Sequence, residues 1–515
     1  MRARAIMVLG TSSHVGKSLL TAALCRIFAD QGVRVAPFKS QNMSLNSAAT
    51  VEGLEIGRAQ ALQAEAARIP ASVHMNPILL KPAGDMTSQI VVRGKIWGKL
   101  SASDYHQRRV EELLPLVRES YDILAAQHDV IILEGAGSPA EINLKQHDIV
   151  NMRMAEMADA HCLLVGDIDR GGVFASLFGT VKLLDPPEQD RIRGFLINKF
   201  RGDLSLLEPG IRMMEASLQK PCLGTVPYMP GLALEEEDSL GLADTLHASG
   251  SWGANDTLDR PLRIAVVALP SFSNFTDFDA LQFEPSVSLS FCRDSAQLKH
   301  ADIIVLPGSK QTVEDLLWMR RQQIDASIVA HAHTKLVVGI CGGMQMLGSA
   351  ILDPAGMERT GSVNGLGLLP FVTQMQSEKV TRQVTGHLCR STLFGQPVHA
   401  ISLRGYEIHI GETTYAEGAQ AFASLNGSEL DGCISPDTRI FGTYLHGIFD
   451  DDAFRHAFLT AARSFLHLAP ATHFENWRQK REKSFERLAD VVRASVDLPC
   501  IFDWVGLKYI PEQNH

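Results

Sequence analysis

The chain has 515 residues and a mass of 56.3 kDa, a length that predicts two to four domains. Hydrophobic residues make up 45% and charged residues 21% of it, which excludes a mainly disordered chain. There are 48 Lys and Arg against 58 Asp and Glu, so the net charge is −10. An acidic protein gains no general attraction to nucleic acid or anionic lipid, so we expect neither as a partner.

The cysteine pattern and the apolar runs predict a cytoplasmic protein. Eight cysteines are scattered along the chain without a Cys-x-x-Cys pair, which suits a reducing compartment. The apolar run at residues 5–9 is too short for a signal peptide, and we find no run of the ~20 apolar residues that a membrane span needs. The sequence leaves the oligomeric state open, a homo-oligomer included.

Short apolar runs alternate with helix-length stretches over residues 1–235. Their Val, Ile and Leu content predicts buried strands of a parallel sheet covered on both faces by helices. The expected fold class is therefore α/β, a doubly wound sheet that binds ligands at the carboxyl ends of its strands. The predicted strands are residues 5–9, 33–38, 130–133, 162–165, 195–197 and 222–226.

The phosphate loop is predicted at Gly10-Thr-Ser-Ser-His-Val-Gly-Lys-Ser18, between the first strand and an apolar helix. A glycine-containing loop at a helix N-terminus offers backbone N–H groups to phosphate oxygens. We expect Gly10, Thr11 and Gly16 to shape it, Lys17 to reach the β- and γ-phosphates of ATP, and Ser18 to bind Mg²⁺. The loop departs from the strict G-x4-G-K-[ST] spacing, because Thr11 stands where the first glycine should be.

Two later strand ends supply further candidates for the nucleotide site. Glu134 ends a buried strand before Gly-Ala-Gly, where a carboxylate can hold Mg²⁺ directly or through water. Asn198 and Lys199 end another strand, and their pattern leaves open whether they contact the base or a phosphate.

The amino-acid composition and the apolar pattern change after residue 235, and a second domain is predicted beyond this point. Residues 236–261 are acidic and rich in Gly, Ser and Asn, which indicates a linker. Alternating apolar runs at residues 263–268, 302–306 and 336–340 predict a second α/β domain over residues 262–455. Residues 456–515 carry helical charge patterning and are expected to form a helical C-terminal extension that closes this domain.

A cysteine elbow is predicted in the second domain. The apolar run 336–340 leads into Cys341-Gly-Gly, where glycines tolerate a strained turn and the following helix favours a thiolate. The backbone N–H of Gly342 is expected to stabilise a tetrahedral oxyanion, with a second donor from the loop that holds Gly308 and Ser309.

A nucleophilic cysteine needs a base, and two histidines compete for that role. His446 follows a short apolar strand in the same domain as Cys341, and we favour it. His409 is not excluded by spacing alone. Asp277 and Asp279 lie in a loop of this domain that we expect to face an interface.

These motifs resemble known families. Gly-Ile-Cys341-Gly-Gly-Met-Gln with Tyr-Leu-His446-Gly is similar to class I glutamine amidotransferases, and the phosphate loop with Leu-Glu134-Gly-Ala-Gly-Ser resembles the dethiobiotin-synthetase-like ATPases. Their fusion in this order is the plan of the cobyric and cobyrinic acid amide synthases. Residues 37–46, 74–82, 166–174 and 406–411 resemble the cobyric acid synthases in particular.

The resemblance implies a ligase that uses ATP, Mg²⁺ and L-glutamine to amidate a corrinoid. The family converts adenosylcobyrinic acid a,c-diamide to adenosylcobyric acid by amidating the b, d, e and g carboxylates. Many class I amidotransferases follow the histidine with Pro-Glu, whereas Gly447-Ile-Phe follows His446 here. The sequence therefore supports a Cys–His dyad and leaves the third member open.

Two alternative functions remain open. The first is the sister enzyme, cobyrinic acid a,c-diamide synthase, which acts earlier, on the a and c carboxylates of cobyrinic acid. The second is a partitioning-type ATPase, which uses a similar phosphate loop as a switch but has no need of Cys341 and His446.

Overall fold

The computed structural model describes residues 3–83, 87–101, 105, 109–235, 252, 257–399 and 401–511. Most of the predicted linker lies outside these residues. The chain forms two compact units that do not follow chain order throughout. The first comprises Met1–Ser44, Ile56–Asp238 and Arg481–His515, and the second comprises Leu45–Glu55 and Ser239–Lys480. We call Leu45–Glu55 the inserted segment, because it precedes most of the first unit in sequence and belongs to the second.

A six-stranded sheet of order β6-β5-β4-β1-β3-β2 forms the centre of the first unit. Every neighbouring pair of strands in it is parallel. Each strand coincides with a predicted apolar run, so the α/β prediction is confirmed. The strands are β1 (Arg4–Gly10), β2 (Val35–Phe38), β3 (Val130–Glu134), β4 (His161–Asp167), β5 (Ile192–Phe200) and β6 (Cys222–Pro227).

Helices connect these strands, and a small separate sheet accompanies them. The helices are Lys17–Asp30, Arg58–Ala66, Leu114–Gln127, Met152–Ala158, Val173–Lys182, Pro186–Arg191 and Leu204–Leu218. The separate sheet is not predicted by the sequence pattern, because its strands are short and partly exposed. Its strands are Gln41–Met43, Ile78–Ala83, Thr87–Val92 and Lys95–Ser101.

The second unit is built on another six-stranded sheet, of order β8-β7-β9-β10-β12-β11. Only β11 runs antiparallel to its neighbour. The predicted runs correspond to β7, β9 and β10, so the second α/β domain is also confirmed. The strands are β7 (Leu262–Val267), β8 (Val287–Cys292), β9 (Ile303–Leu306), β10 (Leu336–Ile340), β11 (Cys433–Ile434) and β12 (Ile440–Thr443).

A second, mixed sheet in this unit contains the long antiparallel pair Phe371–Leu388 and Ser402–Tyr415. Its shorter strands are Ala350–Asp353, Gly361–Asn364, Ala423–Leu425 and Glu429–Asp431. The helices of the unit are Asp279–Gln282, Ser295–Leu298, Thr312–Arg321, Ile324–Ala332, Gly342–Leu347 and Asp452–Phe465. Every helix among the described residues is too short or too polar to span a lipid bilayer.

The C-terminal extension contains two helices after residue 476, and from Arg481 onward it belongs to the first unit. Its helices are Trp477–Ser495 and Leu498–Trp504. Arg481 is almost fully buried and pairs with Glu65 and Glu235. Burial disfavours the Glu235 carboxylate, but Arg481 and Arg58 outweigh it and lower the pKa of Glu235 to about 2. The residues from Arg481 onward therefore complete the first unit, whereas those up to Lys480 belong to the second.

We expect Phe502→Ala to destabilise the first unit by about 3 kcal/mol, because the truncation leaves a cavity in its core. The Phe502 ring is fully buried and stacks on Phe28, with ring centroids 4.1 Å apart. Denaturant unfolding of the full-length protein measures the effect. Ile510→Ala is the matched control, because the Ile510 side chain is exposed. Equal stabilities of the two variants would contradict this account of the extension.

Candidate functional site

Cys341 occupies a strained turn between β10 and the helix Gly342–Leu347. Its backbone angles are φ 51° and ψ −110°, a conformation that residues with a side chain seldom adopt. The turn packs tightly, because a Cβ added at Gly343 would lie 2.0 Å from the carbonyl oxygen of Leu306. The predicted elbow is thus present, and its shape depends on the glycines that follow the cysteine.

The loop that holds Gly308 and Ser309 lies beside this elbow, as the sequence analysis expected. A Cβ added at Gly342 would lie 2.9 Å from the backbone nitrogen of Ser309, and one added at Gly308 would lie 3.0 Å from Cε1 of His446. The three candidate oxyanion residues and the favoured histidine are therefore brought together around Cys341. The Sγ of Cys341 lies 3.6 Å from the carbonyl oxygen of Ile408, to which it donates.

His446 is fully buried and forms a hydrogen bond with a carboxylate. Its Nδ1 lies 2.7 Å from Oδ2 of Asp277, and the backbone N–H of Gly447 donates to Oδ1 of the same carboxylate at 2.8 Å. Burial disfavours a charged imidazole, but the Asp277 carboxylate and the Cys341 sulfur outweigh it and raise the pKa of His446 to about 10. Asp277 thus fixes the ring orientation and stabilises its protonated form.

Asp277 is the residue that sequence reasoning did not assign. It lies 169 positions from His446, in the short 3-10 helix Phe275–Phe278 after β7. From sequence alone we expect its loop to face an interface, whereas the carboxylate is buried in the second unit. The one available signal was its position after a strand of the domain that contains Cys341 and His446.

His409, the competing base, has a different environment. Its ring stacks on Tyr444 with centroids 3.8 Å apart, and its Nδ1 lies 3.2 Å from the carbonyl oxygen of Gly411. Burial lowers the pKa of His409 to about 3, so its ring is neutral at physiological pH. Since, among the described contacts, His446 and not His409 forms a hydrogen bond with Asp277, the structure favours His446 as the base.

The phosphate loop leads into the helix Lys17–Asp30 of the first unit. Gly16 has φ +94°, and a Cβ added there would lie 2.2 Å from Nδ2 of Asn198, so the position requires glycine. Asn198 donates to the Val15 carbonyl at 2.8 Å, and Lys199 donates to the His14 carbonyl at 2.6 Å. Both strand-end residues therefore hold the loop itself in this structure.

A cavity of about 280 Å³ opens over this loop. Its walls include the candidates Gly16, Lys17, Ser18, Asn198 and Lys199. Gly10 and Thr11 lie at the base of the loop instead: a Cβ added at Gly10 would lie 2.6 Å from Val15, and the Thr11 N–H donates to the Val165 carbonyl. The apolar part of the wall comprises Leu19, Leu20, Met43, Ala136, Pro227, Met229, Leu232 and Leu488.

Ser18 and Glu134, the two predicted metal ligands, lie next to each other. The Ser18 hydroxyl donates to Oε1 of Glu134 at 2.9 Å, and Lys39 contacts the same oxygen at 3.0 Å. Gln63 donates to Oε2 at 2.6 Å, while its own buried Oε1 lacks a hydrogen-bond partner among the described atoms. This set of oxygen atoms fits Mg²⁺, which prefers hard oxygen ligands and keeps several waters. The hydroxyl and the carboxylate could bind the ion directly, and the amide oxygen could accept from a metal-bound water.

Two family profiles match the chain, one for each of the domains that the sequence predicts. Residues 6–241 match the CobQ/CobB/MinD/ParA nucleotide binding domain, and residues 263–454 match the CobB/CobQ-like glutamine amidotransferase domain. The matched ranges contain the phosphate loop and the Cys341 elbow, respectively.

Relatives named cobyric acid synthase match nearly the full length of the chain. A protein of Thermoanaerobacter sp. (strain X514) is 46% identical over 508 residues, which cover 97% of this chain and 98% of the relative. One of Syntrophobacter fumaroxidans is 45% identical over 520 residues, covering 98% and 99%. The chain belongs to the cobyric acid synthase family.

Members of this family are ATP-dependent ligases that combine a nucleotide-binding domain with a glutamine amidotransferase domain, and the chain contains both. The arrangement of Cys341, His446 and Asp277 matches the needs of amide hydrolysis, in which a thiol attacks and a histidine moves the proton.

We expect Asp277→Asn to slow glutamine hydrolysis by about a hundredfold, because the imidazolium of His446 loses its counter-charge. The same change should lower the pKa of His446 from about 10 towards 6.5. A raised folded-state pKa contributes stability that is complete below pH 6.5 and is lost as the pH rises through 10. Unfolding measurements across this interval should therefore show a flatter pH dependence in Asp277→Asn.

Asp279→Asn is the control for this experiment. Asp279 is a half-buried neighbour that begins the next helix, whereas the hydrogen bond to His446 is formed by Asp277. Loss of glutamine hydrolysis to the same degree in both variants would contradict the specific role of Asp277.

Proposed function

We propose that the chain amidates the b, d, e and g carboxylates of adenosylcobyrinic acid a,c-diamide with glutamine nitrogen and ATP, giving adenosylcobyric acid. The observation that carries the proposal is the coexistence, in one chain, of the Cys341–His446–Asp277 arrangement with a phosphate loop backed by Glu134. Near-full-length relatives with this family name support the choice of a corrinoid substrate.

The amidotransferase site supplies ammonia. The thiolate of Cys341 attacks the carboxamide carbon of glutamine, and the proton held by His446 passes to the leaving nitrogen. Backbone N–H groups of Gly342 and the Gly308–Ser309 loop stabilise the oxyanion. Ammonia leaves, and water then hydrolyses the thioester to glutamate with His446 as the base.

The nucleotide site activates the carboxylate. A carboxylate resists amines because it lacks a leaving group, so a corrinoid carboxylate takes the γ-phosphoryl group of ATP and releases ADP. Ammonia then attacks the acyl phosphate and displaces phosphate. Lys17 disperses the charge of the transferring group, and the phosphate loop positions the nucleotide. Mg²⁺, held by Ser18 and Glu134, would neutralise phosphate charge when bound.

The setting of the enzyme forms part of the same proposal. All eight cysteines are free thiols, which suits a reducing cytoplasm. We propose neither a nucleic-acid nor a membrane partner for this acidic chain, and we leave room for a homo-oligomer.

The two sites should be separable by mutation. Cys341→Ala removes the attacking sulfur, so we expect glutamine-dependent synthesis to disappear while synthesis from ammonium salt remains. Lys17→Ala should reduce both by a hundredfold or more, since about that much transition-state stabilisation comes from such a charge. Phosphate release and product formation measure both activities.

Cys389→Ala is the matched control, because Cys389 is exposed and remote from the elbow in sequence. A Cys341→Ala enzyme that is also inactive with ammonia would argue against two separate sites. Normal synthesis by Lys17→Ala would argue against the phosphate-loop assignment.

The substrate is tested by mass spectrometry of adenosylcobyrinic acid a,c-diamide incubated with the enzyme, Mg-ATP and glutamine. We expect a ladder that ends at four acid-to-amide conversions, because the family amidates four carboxylates. Amidation of cobyrinic acid instead, at two positions, would move the assignment to the sister enzyme. Glutamine hydrolysis without conversion of either corrinoid would leave the ligase and overturn the substrate.

A further inference from the structure

The inserted segment (Leu45–Glu55) belongs to the second unit, although the first unit precedes and follows it in the chain. The segment is hydrogen-bonded to the turn that contains Asp277. The backbone N–H of Ser47 donates to Oδ1 of Asn274 at 2.9 Å, and the backbone N–H of Phe275 donates to Oδ1 of Asn46 at 3.2 Å. Each of the two buried asparagines thus accepts a hydrogen bond from the backbone of the residue that follows the other.

The turn held in this way sets the position of Asp277. Asn274 adopts a left-handed backbone conformation, with φ 54°, and precedes the 3-10 helix Phe275–Phe278. Its carbonyl accepts the N–H of Asp277 at 3.0 Å. Asparagine adopts this conformation more readily than most residues, and the hydrogen bonds with Asn46 and Ser47 tie the turn to the inserted segment.

The inserted segment also contacts the other side of the amidotransferase site. Ala49 forms a buried cluster with Tyr406 and Ile408. The Tyr406 ring stacks on His446 with centroids 5.4 Å apart, and the carbonyl of Ile408 accepts from Cys341. The segment therefore supports the surroundings of all three residues of the proposed triad.

We propose that Asn46 is a positioning residue for amide hydrolysis, acting through Asp277; this inference rests on the proposed function of Cys341 and His446. Asn46 holds the Asn274–Phe275 turn so that Asp277 keeps its hydrogen bond to His446. The amidotransferase site thereby includes a residue from outside the amidotransferase sequence range of residues 263–454.

Residues of the proposed nucleotide site precede and follow the inserted segment in the chain. Before it, Asn42 and Met43 line the nucleotide cavity. After it, Gln63 donates to Glu134, the proposed metal ligand. The inserted segment is therefore flanked in sequence by residues of the proposed nucleotide site.

The test compares Asn46→Ala with Glu52→Ala in the full-length protein; Glu52 is an exposed residue of the same segment. We expect Asn46→Ala to lower kcat for glutamine hydrolysis about tenfold, because the Phe275 backbone loses its buried hydrogen bond to Asn46, with KM for glutamine changed less than about twofold. Synthesis from ammonium salt should stay at the level of the unmodified enzyme. Glu52→Ala should leave all three quantities unchanged.

A second comparison separates positioning from a general structural effect. If Asn46 acts through Asp277, adding Asn46→Ala to Asp277→Asn should reduce hydrolysis by less than about twofold further. A full additional tenfold loss in the double variant would overturn the proposal. So would equal loss of glutamine- and ammonia-dependent synthesis in Asn46→Ala, or hydrolysis equal to that of Glu52→Ala.

Failure of the proposed function gives a different result. An unmodified enzyme that hydrolyses glutamine but amidates no corrinoid with ammonia would refute the substrate. The effect of Asn46→Ala on hydrolysis would still be measurable in that case.

Discussion

The buried hydrogen bond between Asp277 and His446 is the interaction on which the amidotransferase site depends. Both side chains are almost completely removed from water, where an unpaired charge of either sign is strongly disfavoured. The pair is tolerated because the carboxylate accepts from both the ring and the Gly447 backbone. The surrounding turns, the Gly308–Ser309 loop and the cysteine elbow lie around this fixed pair.

Glu134 has a comparable place in the first unit. It ends a central strand and gathers a hydroxyl, an ammonium group and an amide around one buried carboxylate. In both units, then, a parallel sheet brings to its carboxyl edge polar groups that are distant in sequence. A carboxylate at that edge organises cationic or donor groups, and the chemistry differs according to what lies opposite it.

Sequence patterns predicted both central sheets, because continuous Val and Ile runs are typical of strands buried on two faces. They also predicted Cys341 and Ser18, whose roles are tied to local strand–turn–helix patterns. Asp277 could not be predicted in this way, since it lies in an irregular turn far along the chain from His446. The long strand Phe371–Leu388 alternates only weakly between buried and exposed residues, so its pattern carried little signal. The placement of Leu45–Glu55 and Arg481–His515 depends on tertiary packing that local sequence does not encode.

The stacking of Phe502 on Phe28 joins residues from before and after the second unit within one core. A ribosome makes the first strands of this core before the amidotransferase domain, and the helices that complete it after that domain. The first unit therefore cannot complete its core until the amidotransferase domain has been made, and part of its apolar surface stays exposed until then. A chain that stops between that domain and these helices would leave an incomplete core, which favours aggregation.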